Sequence, residues 1–346
     1  MNAVIRAAVR SALRRGWEVV GIQEGFEGLL KPGLAKNLTS KDIAGILRMG
    51  GTIIGTTNRG NPFDYAGPGG KSGKKTKDIS DLAVKNFKKM KLDALIAIGG
   101  DGSLSIAHKL FKKGVPIVGV PKTIDNDLSE TVITFGFDTA VSTATDALDK
   151  LHSTARSHQR VMVMEVMGRY AGWIALHSGI AGGADVILIP EIPFNLESVS
   201  RKIQERYRSG SRFAIVVVAE GALLKGGKLM VKGDKEAGRE HPHLGGIADF
   251  VAEEIQRMTG RESRSLVLGH LQRGGEPTTF DRLLGTRLGV GAVELIEQGK
   301  FGHMTALKPP NIASVPIAKA ISKMKKVPVN SDVVRSARSL GISFGD

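Results

Sequence analysis

The runs DALIAIGG at Asp93–Gly100 and PIVGVPKT at Pro116–Thr123 decide the fold; DGS follows the first and IDND the second. In both, the apolar residues stand in an unbroken row instead of alternating, the pattern of a strand buried on both faces. Three more runs read the same way: Val161–Gly168 (VMVMEVMG), Asp185–Glu191 (DVILIPE) and Phe213–Gly221 (FAIVVVAEG). Each ends in glycine or a polar cluster, and helical patterns such as Ser142–His158 lie between them. Strands alternating with helices imply an α/β fold with mostly parallel sheets. Ligands in such folds sit beyond the carboxyl ends of the strands. The polar residues closing each run are therefore the candidates for chemistry.

The chain has 346 residues, 41% of them hydrophobic, enough for a large core and for two domains. Its 44 glycines fall between apolar runs without a period, where tight turns are expected. Cysteine is absent, which excludes disulfides and thiolate metal sites. No apolar run approaches the roughly 18 residues of a transmembrane helix. The opening, MNAVIRAAVRSALRRGWEVVGI, spreads its arginines and lacks the order of a signal peptide. It predicts a surface helix followed by a strand, and the cytoplasm is the expected compartment. Lysine and arginine number 49 against 34 acidic residues, a net charge of +15. Aromatics are only 5% and no basic stretch is interleaved with them, so stacking on nucleic acid has no support. Arginines that hold phosphorylated metabolites, with surface lysines, account for the excess.

Two attractive patterns fail. The stretch NPFDYAGPGGKSGKKTK at Asn61–Lys77 is not a phosphate loop of the G-x-x-x-x-G-K-[ST] type. Tyr65 stands where the first glycine belongs in one register, Lys75 replaces Ser or Thr in the other, and no strand precedes it. His241 and His243 flank a proline in a polar stretch with no third ligand, so a surface loop is expected.

Four constellations carry chemistry. In GGDGS at 99–103, Gly99 and Gly100 let backbone amides approach an anion, and Gly102 adds room. Ser103 is expected to cap the following helix, whose N-terminus attracts phosphate. Asp101 offers a hard oxygen to Mg²⁺. In PKTIDND at 121–127, Lys122 and Thr123 are placed to hold oxygens while Asp125 or Asp127 removes a proton from a hydroxyl. The run RSLVLGHLQRGGEPTTFDR at 264–282 sets Arg264, His270 and Arg273 around a glycine turn, and arginine's planar fork suits phosphate. Finally, SHQR at 157–160 and EVMGRYAG at 165–172 place Arg160 and Arg169 at opposite ends of one strand, while Glu220 closes another.

These motifs, with VAEG at 218–221, stand in the order seen in 6-phosphofructokinases, and the chain resembles that family from Met1 to about Pro328. The resemblance implies two three-layer α/β/α domains with the active site in the cleft between them. Residues 1–123 with about 240–290 would bind the donor. Residues 124–239 with about 291–346 would bind fructose 6-phosphate. It implies Asp125 as general base on the C1 hydroxyl, Asp101 on Mg²⁺, and Gly100, Gly102 and Ser103 along the donor phosphates. Arg59, in TTNR at 56–59, resembles the arginine that reaches the transferring group, though its alignment needs one inserted residue. Thr123, Asp127, Met167, Gly168, Arg169, Glu220, His270 and Arg273 would contact the sugar phosphate. Arg160 and Arg264 resemble residues supplied by a neighbouring subunit, which implies a homo-oligomer, tetramer before dimer. No nucleic-acid or membrane partner is implied.

The donor rests on a pair of residues. Lys122 resembles the pyrophosphate-dependent branch, whereas Gly102, in place of that branch's aspartate, leaves room for a nucleotide α-phosphate without like-charge repulsion. ATP is therefore the expected donor and pyrophosphate the alternative. Two departures matter. The family places a strand and a G-G-D-x-P-G loop ahead of the segment matched by MNAVIR. The expectation is either a start site set too late or a shortened chain with impaired activity, and the latter motivates a second reading, a silent sugar-phosphate-binding subunit. Arg6 and Arg10 match effector-site arginines, but His152 and Ser211 stand where regulated bacterial enzymes have basic residues, so control by ADP or phosphoenolpyruvate is not expected.

Overall fold

The structure is a computed structural model that describes residues 1–31, 33–57, 60–67, 76–227 and 244–346. Its strands are β1 (Val20–Ile22), β2 (Ala35–Asn37), β3 (Leu95–Gly99), β4 (Ile117–Pro121), β5 (Val161–Val166), β6 (Val186–Leu188), β7 (Ala214–Ala219), β8 (Ser263–Val267), β9 (His303–Lys308) and β10 (Asn311–Pro316). Its helices are α1 (Asn2–Leu13), α2 (Glu27–Leu30), α3 (Ser80–Lys89), α4 (Asp101–Lys112), α5 (Phe137–His158), α6 (Trp173–Ala181), α7 (Leu196–Arg208), α8 (Ile247–Thr259), α9 (Thr279–Glu297), α10 (Ile317–Ile321) and α11 (Asp332–Ser339).

All five predicted strands form; β4, β6 and β7 are fully buried and β5 nearly so, because helices cover both sides of each sheet, whereas the edge strand β3 is only partly buried. One sheet has the order β10-β9-β4-β3, parallel except for β10; the other, β6-β7-β5-β8, is parallel throughout. In the first lobe, α4 and α10 pack with Ile117 and Met304 on one face. On the other face Leu284 and Leu288 of α9 meet Val118 and Val120. In the second lobe, α5, α6 and α11 cover one face of the sheet, and α7 and α8 cover the other. Every residue of β7 is fully buried, at roughly 1.5–3 kcal/mol for each valine or isoleucine removed from water.

Strand pairing redraws the expected domain division at two places. β8, expected with the first unit, pairs with β5, and α8 packs on that sheet. β9 and β10, expected with the second unit, extend the first sheet from β4. A parallel strand takes whichever sheet edge stands open, so its lobe does not follow from its place in the sequence. The N-terminal helix is a second correction. Instead of lying at the surface, α1 buries Val4, Ile5, Ala7, Ala8 and Val9 and packs along α9. Glycine makes that approach possible, since a Cβ on Gly289 would stand 2.7 Å from the Val4 carbonyl oxygen.

Candidate active site

The two loops that carry most of the candidates lie side by side. β3 and β4 pair in register from Leu95↔Ile117 to Gly99↔Pro121, and the Lys122 amide donates to the Gly99 carbonyl at 2.9 Å. GGDGS and KTIDND therefore leave neighbouring strands at the same level. A Cβ on Gly99 would stand 2.3 Å from the Ser103 Cβ, so only glycine permits this turn. α4 begins at Asp101 with Gly100 as its N-cap and no side-chain cap. Ser103 thus lies within the first turn instead of capping it. The first-turn N–H groups are left to an anion.

The second loop is held by its own side chains. Thr123 Oγ1 accepts the Asp125 amide at 3.1 Å. Asn126 has a left-handed backbone (φ 51°) and is 4% exposed; its Oδ1 accepts the Thr134 amide at 3.1 Å and Lys325 Nζ at 2.7 Å. Burial raises the pKa of Asp125, with Arg273 and Lys122 opposing. Asp127 is pushed up to about 6 by burial and then by the charges of Asp125 and Asp101. One buried oxygen of Asp127, Oδ1, has no hydrogen-bond partner. Burial and the nearby Arg273 lower the pKa of Lys122, and burial lowers that of Lys325 to about 8. Four charges of both signs thus stand in a site largely removed from water, where their interactions are strong.

The second lobe brings three loops to the carboxyl end of its sheet. Register pairs Val166 with Ala219 and Glu165 with Val267, so Met167–Arg169, Glu220 and the turn after β8 are neighbours. Gln272, 1% exposed, accepts the Met167 amide at 3.1 Å and donates to the Gly269 carbonyl at 3.0 Å. A Cβ on Gly221 would stand 1.9 Å from the Arg169 carbonyl oxygen, so that contact demands glycine. Glu220 accepts a hydrogen bond from the Gly168 backbone; burial raises its pKa, with Arg169 opposing. Arg169 stacks at 5.8 Å from the Tyr170 ring. His270 and Arg273 are exposed on the 3₁₀ turn Gly269–Arg273. Arg273 and Glu220 are both within electrostatic reach of Asp125, so the second lobe faces the β4 loop.

Arg160 and Arg264 are not brought to this place. They lie at the opposite ends of β5 and β8, where Val161 pairs with Ser263 and Met162 with Arg264. Both pair with Glu262, Arg160 at 2.9 Å. Arg59, His241, His243 and the lysines at 71, 74 and 75 lie outside the described residues. No group of three histidine or acidic side chains near enough to hold a metal ion exists among the described residues.

The roles of two residues near the site were not read from the sequence, although the run at 264–282 includes one of them. Asp281, 2% exposed, accepts the Gly136 amide at 2.7 Å and the Thr139 amide at 2.8 Å, capping α5 from another helix. Thr278-x-x-Asp281 is a capping pattern at the start of α9, and this is its readable trace. Lys325 left none, since KMKK at 323–326 reads as an ordinary basic stretch.

The fold and these loops place the chain among α/β proteins built to handle phosphorylated ligands at the carboxyl ends of two facing sheets. The family model described as phosphofructokinase matches residues 1–296, and the chain belongs to that family. A Chloroflexus aurantiacus protein described as ATP-dependent 6-phosphofructokinase is 53% identical over all of this chain and 94% of its own. An Amycolatopsis mediterranei protein described as pyrophosphate--fructose 6-phosphate 1-phosphotransferase is 49% identical over 95% of this chain and 93% of its own. The solved phosphofructokinase of Saccharomyces cerevisiae superposes with a TM-score of 0.78 at 31% identity. It covers 93% of this chain, which spans 43% of that longer one.

Proposed function

We propose that this protein transfers the terminal phosphoryl group of ATP to the C1 hydroxyl of fructose 6-phosphate, giving fructose 1,6-bisphosphate. The observation that carries the reading is the in-register pairing of β3 and β4, which sets the glycine turn of a phosphate site beside a buried carboxylate loop. The family match and the relatives described as ATP-dependent enzymes support it. Asp125 takes the C1 proton. Its raised pKa brings it toward neutrality, where a general base works best. Thr123 orients Asp125 through the backbone, and Arg273 and Lys122 offset charge as the phosphoryl group passes. Glu220, Met167, Gly168, Arg169, Asp127 and His270 bind the sugar phosphate; the unpartnered oxygen of Asp127 is open to a hydroxyl donor.

Gly100, Gly102 and Ser103 line the donor phosphates at the start of α4, and Arg59 reaches the transferring group. Mg²⁺ fits this donor set. Asp101 is an exposed carboxylate in the first turn of α4, and Mg²⁺ takes most of its ligands from phosphates and water instead of an all-protein cage. Bound there, the ion neutralises charge on the donor phosphates. With little covalent work left, positioning and charge supply the catalysis. The first lobe, redrawn to include β9 and β10, is the donor side; the second, with β8, is the sugar side. The working form is a homo-oligomer, tetramer before dimer, in which Arg160 and Arg264 reach a neighbour's site, and it works in the cytoplasm.

The test is a donor assay with fructose 6-phosphate, Mg²⁺ and either ATP or pyrophosphate. Product from ATP alone is expected. Product from pyrophosphate alone would reverse the role given to Gly102, and none from either would leave a silent sugar-phosphate-binding subunit.

A further inference from the structure

Lys325 lies outside every loop that carries the proposed chemistry, yet each of its polar groups ends on one of them. Its Nζ donates to Asn126 Oδ1 at 2.7 Å, to the Thr131 carbonyl at 3.0 Å and to the Val132 carbonyl at 2.9 Å. Those three acceptors use all three donors of an ammonium. Its backbone amide donates to the Asp127 carbonyl at 2.7 Å. Its carbonyl accepts Trp173 Nε1, at the start of α6, at 3.0 Å, and its ammonium stands 5.6 Å from that ring. The segment around it is anchored on both sides. Met324 bridges Leu128 in antiparallel fashion. Two residues on, the Val327 amide donates to Glu191 Oε1 at 2.8 Å, and the same carboxylate accepts the Gly172 amide at 3.1 Å.

Residues 324–327 therefore tie the 125–134 loop of the first lobe to the 168–173 loop of the second. Asn126 is the critical tie. At φ 51° it takes a left-handed backbone, which asparagine tolerates better than most residues, and its buried amide side chain is fixed by Lys325 and Thr134. Asp125 and Asp127 flank it, so their direction follows from its backbone. We propose that Lys325 is a positioning residue that fixes the Asp125–Asp127 loop against the Met167–Gly172 loop across the cleft. The consequence for turnover rests on the function proposed above; the geometric role does not.

Because the chain has no cysteine, Lys325→Cys can be alkylated at that position alone. Treatment with 2-bromoethylamine in denaturant, then refolding beside the unsubstituted protein, rebuilds a lysine-like ammonium. Untreated Lys325→Cys is expected to lose about 10²-fold in kcat, the cost of a misplaced reacting group. Its KM for fructose 6-phosphate should change much less than kcat, since Glu220, Arg169 and His270 stay in place although Asp127 shifts with the loop. Aminoethylation should restore most of kcat. Without substrates, amide exchange across 124–134 should accelerate about tenfold or more in Lys325→Cys and recover on aminoethylation. Lys325→Met, which keeps the stem against Trp173 but cannot be aminoethylated, gives the kcat and exchange comparison without the rescue should the cysteine variant not refold. A kcat within twofold of the parent, or a loss that aminoethylation does not recover, would overturn the proposal. Should the parent itself make no fructose 1,6-bisphosphate, the functional reading falls, and the exchange measurement still decides the role of Lys325.

Discussion

The loop after β4 and the edge formed by β8 with its 3₁₀ turn meet at the same cleft but differ in how complete they are. The β4 loop is half-buried to buried, and Thr123, Asn126, Thr134 and Lys325 satisfy most of its polar groups from within the chain, leaving Asp127 Oδ1 without a partner. The β8 edge presents Val267 (47% exposed) and Leu271 (68% exposed) to solvent, beside the exposed His270 and Arg273. An exposed edge strand carrying large apolar side chains is a surface that favours pairing with another chain. One region is finished by its own lobe, whereas the other has the composition of a surface that a second copy would finish. Chemistry that needs fixed geometry belongs to the first, and the proposed self-association is best tested on the second.

The largest break in that contrast is expected from Asp125→Asn. Loss of the base should reduce kcat by about 10²–10⁴-fold while fructose 6-phosphate still binds in calorimetry. Near-normal turnover would remove Asp125 from that role. Arg273→Ala deletes the main positive charge facing Asp125. A drop of roughly 10–100-fold in kcat/KM is expected, as for loss of a charged hydrogen bond, and the acid limb of its pH profile should move upward. An unmoved limb would show that Arg273 does not act on Asp125. On the other region, Leu271→Asp places a charge on the exposed turn and should weaken self-association by about tenfold, read by sedimentation. Unchanged sedimentation would mean that this face is not an interface.

The smallest effect concerns stability. Burial pushes the Asp127 carboxyl up to about 6 from the 3.8 of a solvated aspartate, so the folded state holds its proton more tightly. Its contribution is then most favourable below pH 4 and is lost as pH rises through 6. Asp127→Asn removes that cost, on the order of 1–3 kcal/mol, and should raise Tm by a few degrees at pH 7.5 but not at pH 4. Equal shifts at both pH values would show that the cost is not one of ionisation.

The β3 and β4 loops were legible because buried parallel strands write continuous apolar rows and because the glycine turn is forced by contact with Ser103. What each strand pairs with was not. β8 and β9 take edges left open by strands more than 90 residues earlier, and no local pattern encodes that, whereas β10 pairs with β9 as an adjacent hairpin. The burial of α1 was missed because Arg6 and Arg10 break its apolar face in the sequence, whereas its contact with α9 depends on glycines nearly 290 residues away. Lys325 was invisible for the same reason. Its function is a set of distances to Asn126, Thr131 and Val132, none of which leaves a trace in KMKK.

The interleaving of the two lobes has a consequence for synthesis. Strand β4 ends at Pro121, but its neighbour β9 begins at His303. At roughly 5–20 residues per second, the ribosome leaves that edge open for roughly 10–40 s. Helix α1, which ends at Leu13, waits longer still for α9, which begins at Thr279. The strands of the second sheet are all made by Val267, but α11, which covers one of its faces, and Phe344 in the same core follow β9. Both lobes thus wait for the C-terminal part of the chain, and the open edge of β4 at Val118 and Gly119 is a surface a chaperone would have to shield.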